Sequence, residues 1–102
     1  MTFEIRFTGS AADDLERLYE FFLTRDPQDL PLAQRALSAV HAGIMTLRSS
    51  PFTCRKAHSQ LPFLRELIIP FGGAGYVALF EIDDSDTVTI LAVRHQLEDD
   101  YH

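Results

Sequence analysis

The chain has 102 residues, 46% hydrophobic content and a net charge of −6, values that predict one compact domain spanning residues 1–102. No apolar run approaches the roughly 20 residues that cross a bilayer, and the acidic balance argues against direct binding of free DNA. The N-terminus lacks a secretory signal pattern and the lone Cys54 cannot form an internal disulfide, so we expect a cytoplasmic protein without a membrane partner.

The chain begins with a predicted strand and helix. Apolar and polar residues alternate from Phe3 to Phe7, a pattern typical of a half-buried strand. Ser10 is a candidate N-cap, and Asp13 and Asp14 would place negative charge in the first helical turn, where the helix dipole favours it. A helix is therefore predicted from about Ala11 to Leu23, and its apolar residues recur at helical spacing: Leu15, Leu18, Tyr19 and Phe22.

A second helix follows, with a continuous apolar stripe. Pro31 suits its first turn, and Ser49, Ser50 and Pro51 end it. Gly43 lies in the middle of this helix, where glycine costs up to about 1 kcal/mol relative to alanine, so we expect a close helix–helix or helix–sheet contact there. Spacings of three and four residues define the stripe, which we predict to be buried: Ala33, Ala36, Leu37, Val40, Ile44 and Leu47.

The last third of the chain is typical of a three-stranded meander. Residues 51–62 are predicted to be an irregular connection, and three strand-like runs follow it. The glycine-rich residues 72–75 form a predicted turn between the first two runs, and residues 83–86 form a hairpin loop between the last two. The order strand, helix, helix, strand, strand, strand predicts an α+β domain with both helices on one face of a curved, mainly antiparallel sheet.

Charge is distributed unevenly along this sequence. None of the fifteen acidic residues and five of the nine basic residues lie between Leu30 and Arg65. Such asymmetry can mark a partner-binding face, although a solvated helix surface and polar loop would show the same pattern. If it is a partner site, the candidate residues are Arg48, Arg55, Lys56 and His58.

Neither a metal nor another cofactor is expected. The four histidines share no ligand-like spacing, and a single cysteine excludes the common zinc patterns. The glycine-rich residues 72–75 join two strands and lack a following helix and a Lys-Ser/Thr pair, so they do not predict a phosphate-binding loop. Arg65 and Glu66 are neighbours in a strand and must point to opposite faces, so they cannot pair on one face and one of them must find another partner or water.

The three final strands carry a resemblance to a known family. They read LRELIIPF from Leu64, GYVALFEI from Gly75 and VTILAVRHQ from Val88. This succession resembles the RelE/ParE superfamily of toxins from type II toxin–antitoxin (plasmid stabilisation) systems, whose fold has the β-α-α-β-β-β order predicted above. The resemblance implies a growth inhibitor that a cognate antitoxin holds inactive, with DNA gyrase as the target in the ParE-like branch.

The resemblance leaves two alternatives open. In a RelE-like, ribosome-dependent mRNA endonuclease, a base must take the 2′-hydroxyl proton and cations must stabilise the phosphorane-like charge. By position the candidate catalytic residues are His95, Arg94, Arg65 and Tyr101, although His95 could instead have a purely structural role. A degenerate member that survives only as a non-toxic binding module is the other alternative.

Two departures from the nucleases favour the ParE-like branch. Many relatives carry an arginine soon after the tyrosine of the middle strand, but Tyr76 is followed here by Val77, Ala78 and Leu79. The residues after His95 include a run of carboxylates from residue 98 to residue 100, which would repel a phosphate. These departures therefore favour a toxin that is itself a binding protein over one that is an enzyme.

Overall fold

The structure is a computed structural model that describes residues 2–25, 30–71, 74–84 and 86–96. Two short 3₁₀ turns, Thr46–Arg48 and Pro51–Thr53, follow the second helix. Neither α-helix of the described part combines the length and the apolar character that a membrane crossing requires. The main elements are β1 (Glu4–Phe7), α1 (Gly9–Arg25), α2 (Leu30–Met45), β2 (Arg55–His58), β3 (Leu61–Phe71), β4 (Ala74–Ile82) and β5 (Thr87–His95).

The five strands form one mixed sheet in the order β1-β5-β4-β3-β2. β1 pairs with β5 in parallel, and the other three pairings are antiparallel. Side chains that share one face by register, among them Ile69, Tyr76, Ala78, Phe80 and Val93, form the core with both helices. The predicted α+β architecture, with a helical pair on a mainly antiparallel sheet, is confirmed.

Residues 51–62 differ from the prediction of an irregular connection, which was wrong. They contain β2, an edge strand paired antiparallel with the first half of β3. Arg55, Lys56 and His58 are exposed, so this strand lacks the apolar alternation that marks a half-buried strand in a sequence. Its pairing depends on backbone hydrogen bonds that β3 offers, and the observed order therefore has one more strand than predicted.

The first turn of α1 also differs from the prediction. The helix begins at Gly9, and Thr8 is its N-cap, because the Thr8 Oγ1 accepts a hydrogen bond from the Ala11 N–H at 3.0 Å. Ser10 lies inside the helix, so its assignment as the N-cap was wrong. Asp13 and Asp14 fall beyond the first turn, and Asp14 is buried. Its role is therefore different from the predicted interaction with the helix dipole.

The start of α1 completes an edge of β5 that β1 leaves open. Pairing between β1 and β5 ends at Phe7 and Ile90. Beyond that point the Thr8 hydroxyl donates to the Leu91 carbonyl oxygen at 3.2 Å, and the Asp14 Oδ2 accepts from the Val93 N–H at 2.9 Å. The capping side chain of Thr8 and the Asp14 side chain of α1 thus take the place of a neighbouring strand and hold the last residues of β5.

The predicted stripe of α2 faces the sheet. Leu37 is half-buried and the other five members of the stripe are buried, with Leu47 reached through the 3₁₀ turn that follows the helix. In α1, Leu18 is buried and Leu15 half-buried, whereas the Phe22 side chain lies outside the described residues. A Cβ on Gly43 would lie 2.9 Å from the Ile69 Cγ1, so the expected close contact exists and is made to β3.

Candidate functional site

The sheet face opposite the helices carries an ion pair and apolar side chains. Arg55 on β2 lies opposite Glu66 on β3, and the Arg55 Nε is 3.1 Å from the Glu66 Oε1. Arg94 belongs to the same face, because Ile68, Val77 and Arg94 are register partners across three strands. The side chain of Glu66 is only 14% exposed, so Arg55 supplies the partner that its position in β3 requires.

Arg65 points to the helix side of the sheet and binds backbone rather than solvent. Its Nε donates to the Pro62 carbonyl oxygen at 2.9 Å, and its Nη1 donates to the carbonyl oxygens of Phe52 at 3.1 Å and Cys54 at 2.7 Å. Its guanidinium also lies over the Phe52 ring, 5.4 Å from the centroid. These contacts fasten the second 3₁₀ turn and the start of β2 to β3.

His95 lies on the helix side of the sheet, at the end of β5. Its ring meets the ring of its register partner Tyr76 edge to face, with centroids 5.5 Å apart and an interplanar angle of 89°. Burial raises the pKa of the Tyr76 phenol further above neutrality. Arg94 points to the opposite face and its Nη1 donates to the His95 carbonyl oxygen at 3.3 Å.

The structure does not bring Arg65 and His95 together. Arg65 pairs with Phe80, whereas His95 pairs with Tyr76 at the other end of β4. Along the strands, the four positions that separate Arg65 from His95 correspond to about 13 Å. Across the sheet, β3 and β5 are two strand spacings apart, which adds about 10 Å in the perpendicular direction. Arg94 lies on the other face of the sheet, and Tyr101 lies outside the described residues. The predicted catalytic residues that can be located therefore do not surround one point.

Comparison with known proteins decides the family. The sequence matches the family described as ParE toxin of type II toxin–antitoxin system, parDE, over residues 5–100. The chain belongs to the ParE toxin family. It is also 31% identical to Toxin RelE1 of Caulobacter vibrioides over 98 residues, which cover 96% of this chain and 98% of that protein. The toxin is thus a member of the RelE/ParE superfamily, as the strand motifs suggested.

Solved structures of toxin–antitoxin systems share the fold of this ParE-family toxin. A chain of the chromosomal ParDE system from P. aeruginosa superposes with a TM-score of 0.73 at 18% identity, over 92% of this chain and 96% of that one. A chain of the RelBE2 toxin–antitoxin complex from Mycobacterium tuberculosis gives a TM-score of 0.64 at 27% identity, over 96% and 95%.

The residues predicted to bind a partner are all exposed but do not form one patch. Arg55 points to the helix-free face, whereas Lys56 pairs with Arg65 and shares the opposite face. The His58 Nδ1 accepts a hydrogen bond from the Gln60 N–H at 3.2 Å. Arg48 ends the first 3₁₀ turn and lines an open groove beside the N-terminal part of β1. The basic residues of the β2–β3 hairpin therefore lie on both of its faces, and Arg48 lies outside the hairpin.

Two apolar surfaces were not predicted from the sequence. The first, the helical groove, has a volume of about 350 Å³ and lies between β1 and the two helices. Glu16 and His41 also line it, and its apolar residues are Phe7, Leu15, Tyr19, Leu37, Val40 and Ile44. The second, the aromatic corner, consists of Phe52, Leu61 and Phe63, which are 52%, 51% and 54% exposed. For the aromatic corner, large apolar side chains in a basic stretch without carboxylates were the available sequence signal.

Cys54 directly precedes β2 and is half-buried. Burial raises the pKa of its thiol, and the nearby Arg65 guanidinium only partly opposes that effect. A protonated thiol is a poor nucleophile, so the toxin gains no reactive cysteine from this position.

Proposed function

We propose that this toxin inhibits growth by binding DNA gyrase and does not cleave a substrate itself. The separation of Arg65 from His95 carries the proposal, because general acid–base cleavage of RNA needs its proton-transfer groups and its cations within reach of one phosphate. The ParE family match supports the same target class. Gyrase acts in the cytoplasm, which is accordingly the proposed location of the toxin.

A cognate antitoxin is the proposed regulatory partner. The structural relatives come from a ParDE system and a RelBE2 toxin–antitoxin complex, and the chain shares their fold over more than nine-tenths of its length. Exposed Arg48, Arg55, Lys56 and His58 would attract an acidic antitoxin segment, and the helical groove offers it apolar surface.

Ribosome-dependent mRNA cleavage is the second candidate function. Two observations favour it: the 31% identity to Toxin RelE1, and the placement of Arg55 and Arg94 on one helix-free face. The third candidate function is that of a degenerate binding module without toxicity. Induced expression of the toxin alone separates the three, because gyrase inhibition activates DNA damage signalling, mRNA cleavage depletes transcripts quickly, and a degenerate module leaves growth unchanged.

Replacing His95 by Gln tests whether the toxin depends on a proton-transfer group at this position. A gyrase-binding toxin requires no general base, so a folded His95→Gln protein is expected to keep most of its growth inhibition. An mRNA endonuclease would lose about 100- to 10,000-fold of its cleavage rate, the usual contribution of general acid–base catalysis. The measurement is ribosome-bound mRNA cleavage alongside growth arrest, with folding checked by circular dichroism. Robust wild-type cleavage that disappears in the folded variant would contradict the gyrase proposal.

Reversing the charge of Arg55 and Lys56 together is expected to weaken antitoxin binding about tenfold or more at low salt and to flatten its salt dependence. The physical reason is the loss of two exposed cations, on opposite faces of the edge strand β2, that attract an acidic partner. The matched control is Arg6→Glu with Arg35→Glu, which changes net charge equally at two exposed positions elsewhere. Because Arg55 pairs with Glu66, an Arg55→Gln/Lys56→Gln protein provides a second, less disruptive variant. Equal affinities for wild type and both variants at all salt concentrations would exclude these residues from the interface.

A further inference from the structure

The outer edge of β1 is an open edge of the sheet. In the described part of the chain β1 is the first strand of the sheet, and β5 is its neighbour on one side only. On that side the Glu4 N–H donates to the Asp86 carbonyl oxygen at 2.7 Å and the Thr8 N–H to the Ile90 carbonyl oxygen at 3.0 Å. Amide directions alternate along a strand, so the N–H and carbonyl groups of Ile5 point away from β5.

This open edge is short and has defined ends. The outward N–H of Phe3 donates to the Arg48 carbonyl oxygen at 2.7 Å, so the first 3₁₀ turn closes the edge at that end. At the other end β1 stops at Phe7, shortly before α1 begins. A second strand can therefore pair with residues 4–6, and Ile5 is at their centre. An exposed strand edge is a template for pairing with another chain.

Two side chains of opposite charge flank Ile5 on the helix-free face. Ile5 lies opposite the buried Val88 on the helix side, so Glu4 and Arg6 point to the other face. Their side chains are 66% and 63% exposed, and the Arg6 Nε is 3.6 Å from the Glu4 Oε1. Exposed ion pairs of this kind contribute little stability, so both side chains can turn to a partner at little cost.

These charges select one register for a second copy of the strand. In an antiparallel pair about a two-fold axis, outward-pointing residues must lie opposite each other for hydrogen bonds to form. A pair centred on Ile5 exchanges both hydrogen bonds there and places Glu4 of each copy opposite Arg6 of the other. The two neighbouring registers place Glu4 opposite Glu4, or Arg6 opposite Arg6, and like charges directly opposite are destabilising.

The same register brings apolar side chains together on the helix side. It aligns Phe7 of one copy with Phe3 of the other, beside an open groove of about 430 Å³ that Phe3, Ile5 and Met45 line. Phe7 is 42% exposed in the single chain, so contact with this groove would cover an apolar side chain in each copy. Backbone, charge and apolar surface of β1 are thus all self-complementary.

We propose that the toxin self-associates through β1, with two copies pairing antiparallel about Ile5 so that their sheets become continuous. The proposal does not depend on the target of the toxin. The interface has only three strand residues per copy and the flanking apolar contacts, so the dimer is weak, with a dissociation constant of about 10–100 µM. At nanomolar concentrations, where antitoxin affinity is measured, the toxin is monomeric and a substitution of Arg6 does not act through the dimer.

Charge reversal in the full-length toxin tests the register. Arg6→Glu and Glu4→Arg each place like charges opposite each other at both ends of the pair, so each is expected to weaken the dimer about tenfold or more. An equimolar mixture of the two variants restores opposite charges at both ends and is expected to dimerise as the wild type does. The control is Arg35→Glu, which changes the charge equally at an exposed position of α2 and should leave dimerisation unchanged.

Sedimentation equilibrium at toxin concentrations from about 1 to about 500 µM supplies the measurement, and thermal unfolding checks that the variants are folded. Loss of association in both single variants with recovery in their mixture would support the proposal. A wild-type toxin that stays monomeric throughout this range would overturn it. Association that the single reversals leave unchanged, or that the mixture fails to restore, would show that β1 does not pair in this register and would overturn it too.

Hydrogen exchange at the Ile5 amide separates a second copy from the antitoxin as the occupant of this edge. Protection of this amide is expected to rise with toxin concentration in the absence of antitoxin, because the pairing gives its N–H an acceptor. Protection that appears only when purified antitoxin is added would assign the edge to an antitoxin strand and would contradict the proposal.

Discussion

The Leu47→Ala variant is expected to lose about 2–5 kcal/mol of its free energy of unfolding, the range measured for buried leucines. Leu47 is 0% exposed and belongs to the core that both helices share with the sheet. Truncation removes apolar contacts and leaves a cavity that the 3₁₀ turn around Leu47 and the sheet beneath it can fill only in part. Because small domains have only about 5–15 kcal/mol of stability, the variant is expected to unfold at a much lower temperature or denaturant concentration.

Two comparison proteins isolate the packing effect. Leu47→Met nearly conserves volume and is expected to cost less than about 1.5 kcal/mol. Leu61→Ala makes the same truncation at a side chain that is 51% exposed, and its cost is expected to stay below about 1 kcal/mol. Denaturant unfolding of the three variants and the wild type supplies the measurement. Equal stabilities for Leu47→Ala and Leu61→Ala would contradict the placement of Leu47 in the core.

The Asp14→Ala variant is expected to lose about 1–3 kcal/mol of unfolding free energy, although alanine is the better helix former. The reason is the Val93 N–H, which donates to the Asp14 Oδ2 at 2.9 Å inside the protein. Without that acceptor a buried donor is left unsatisfied at the edge of β5. Amide hydrogen exchange is expected to accelerate at Val93, in addition to the loss of global stability.

Asp13 offers a neighbouring control, because it lies on the same helix and is exposed. Asp13→Ala is expected to change stability by less than about 0.5 kcal/mol, and Asp14→Asn, which keeps an acceptor oxygen, should lose less than Asp14→Ala. If Asp13→Ala and Asp14→Ala destabilise the protein equally, helix charge and not the bond to Val93 explains the loss.

These stability effects bear on function through the position of β5. Val93 directly precedes Arg94 and His95, which point to opposite faces of the sheet. Thr8 and Asp14 of α1 hold the strand where β1 no longer accompanies it. The same helix contributes Leu15 and Tyr19 to the helical groove, so a partner bound there contacts the element that fixes the end of β5.

Much of the fold followed from local periodicity in the sequence. The stripe of α2 from Ala33 to Leu47 is spaced at three and four residues, and a helix with that stripe must bury it. The two long apolar runs of β4 and β5 are similarly explicit, whereas the predicted turns at residues 72–75 and 83–86 include residues outside the described part of the chain. Such patterns persist because one face of each element meets the core, and they predicted the architecture, whereas the superfamily was suggested by the resemblance of the last three strands to known toxins.

β2 and the start of α1 could not be predicted from local patterns, because both depend on contacts between residues distant in sequence. Arg55, Lys56 and His58 show no apolar alternation, and their strand exists because β3 extends far enough to pair with it. The sequence analysis named Ser10 as the cap, whereas in the structure the cap is Thr8, whose hydroxyl also binds the Leu91 carbonyl oxygen of β5. Asp14 is likewise indistinguishable from Asp13 until the helix is placed on the sheet.

The sequence by itself determined the fold class and the buried stripe of α2, because both follow from short-range patterns of residue type, and its last three strands resembled the superfamily that the comparisons then showed. Only the tertiary structure decided what the polar side chains do. Arg65 binds the backbone of Phe52 and Cys54 and is far from His95, although both were candidates for one catalytic site. The physical reason is that strand register and alternation fix which side chains share a face, and hydrogen bonds between residues distant in sequence then fix their partners.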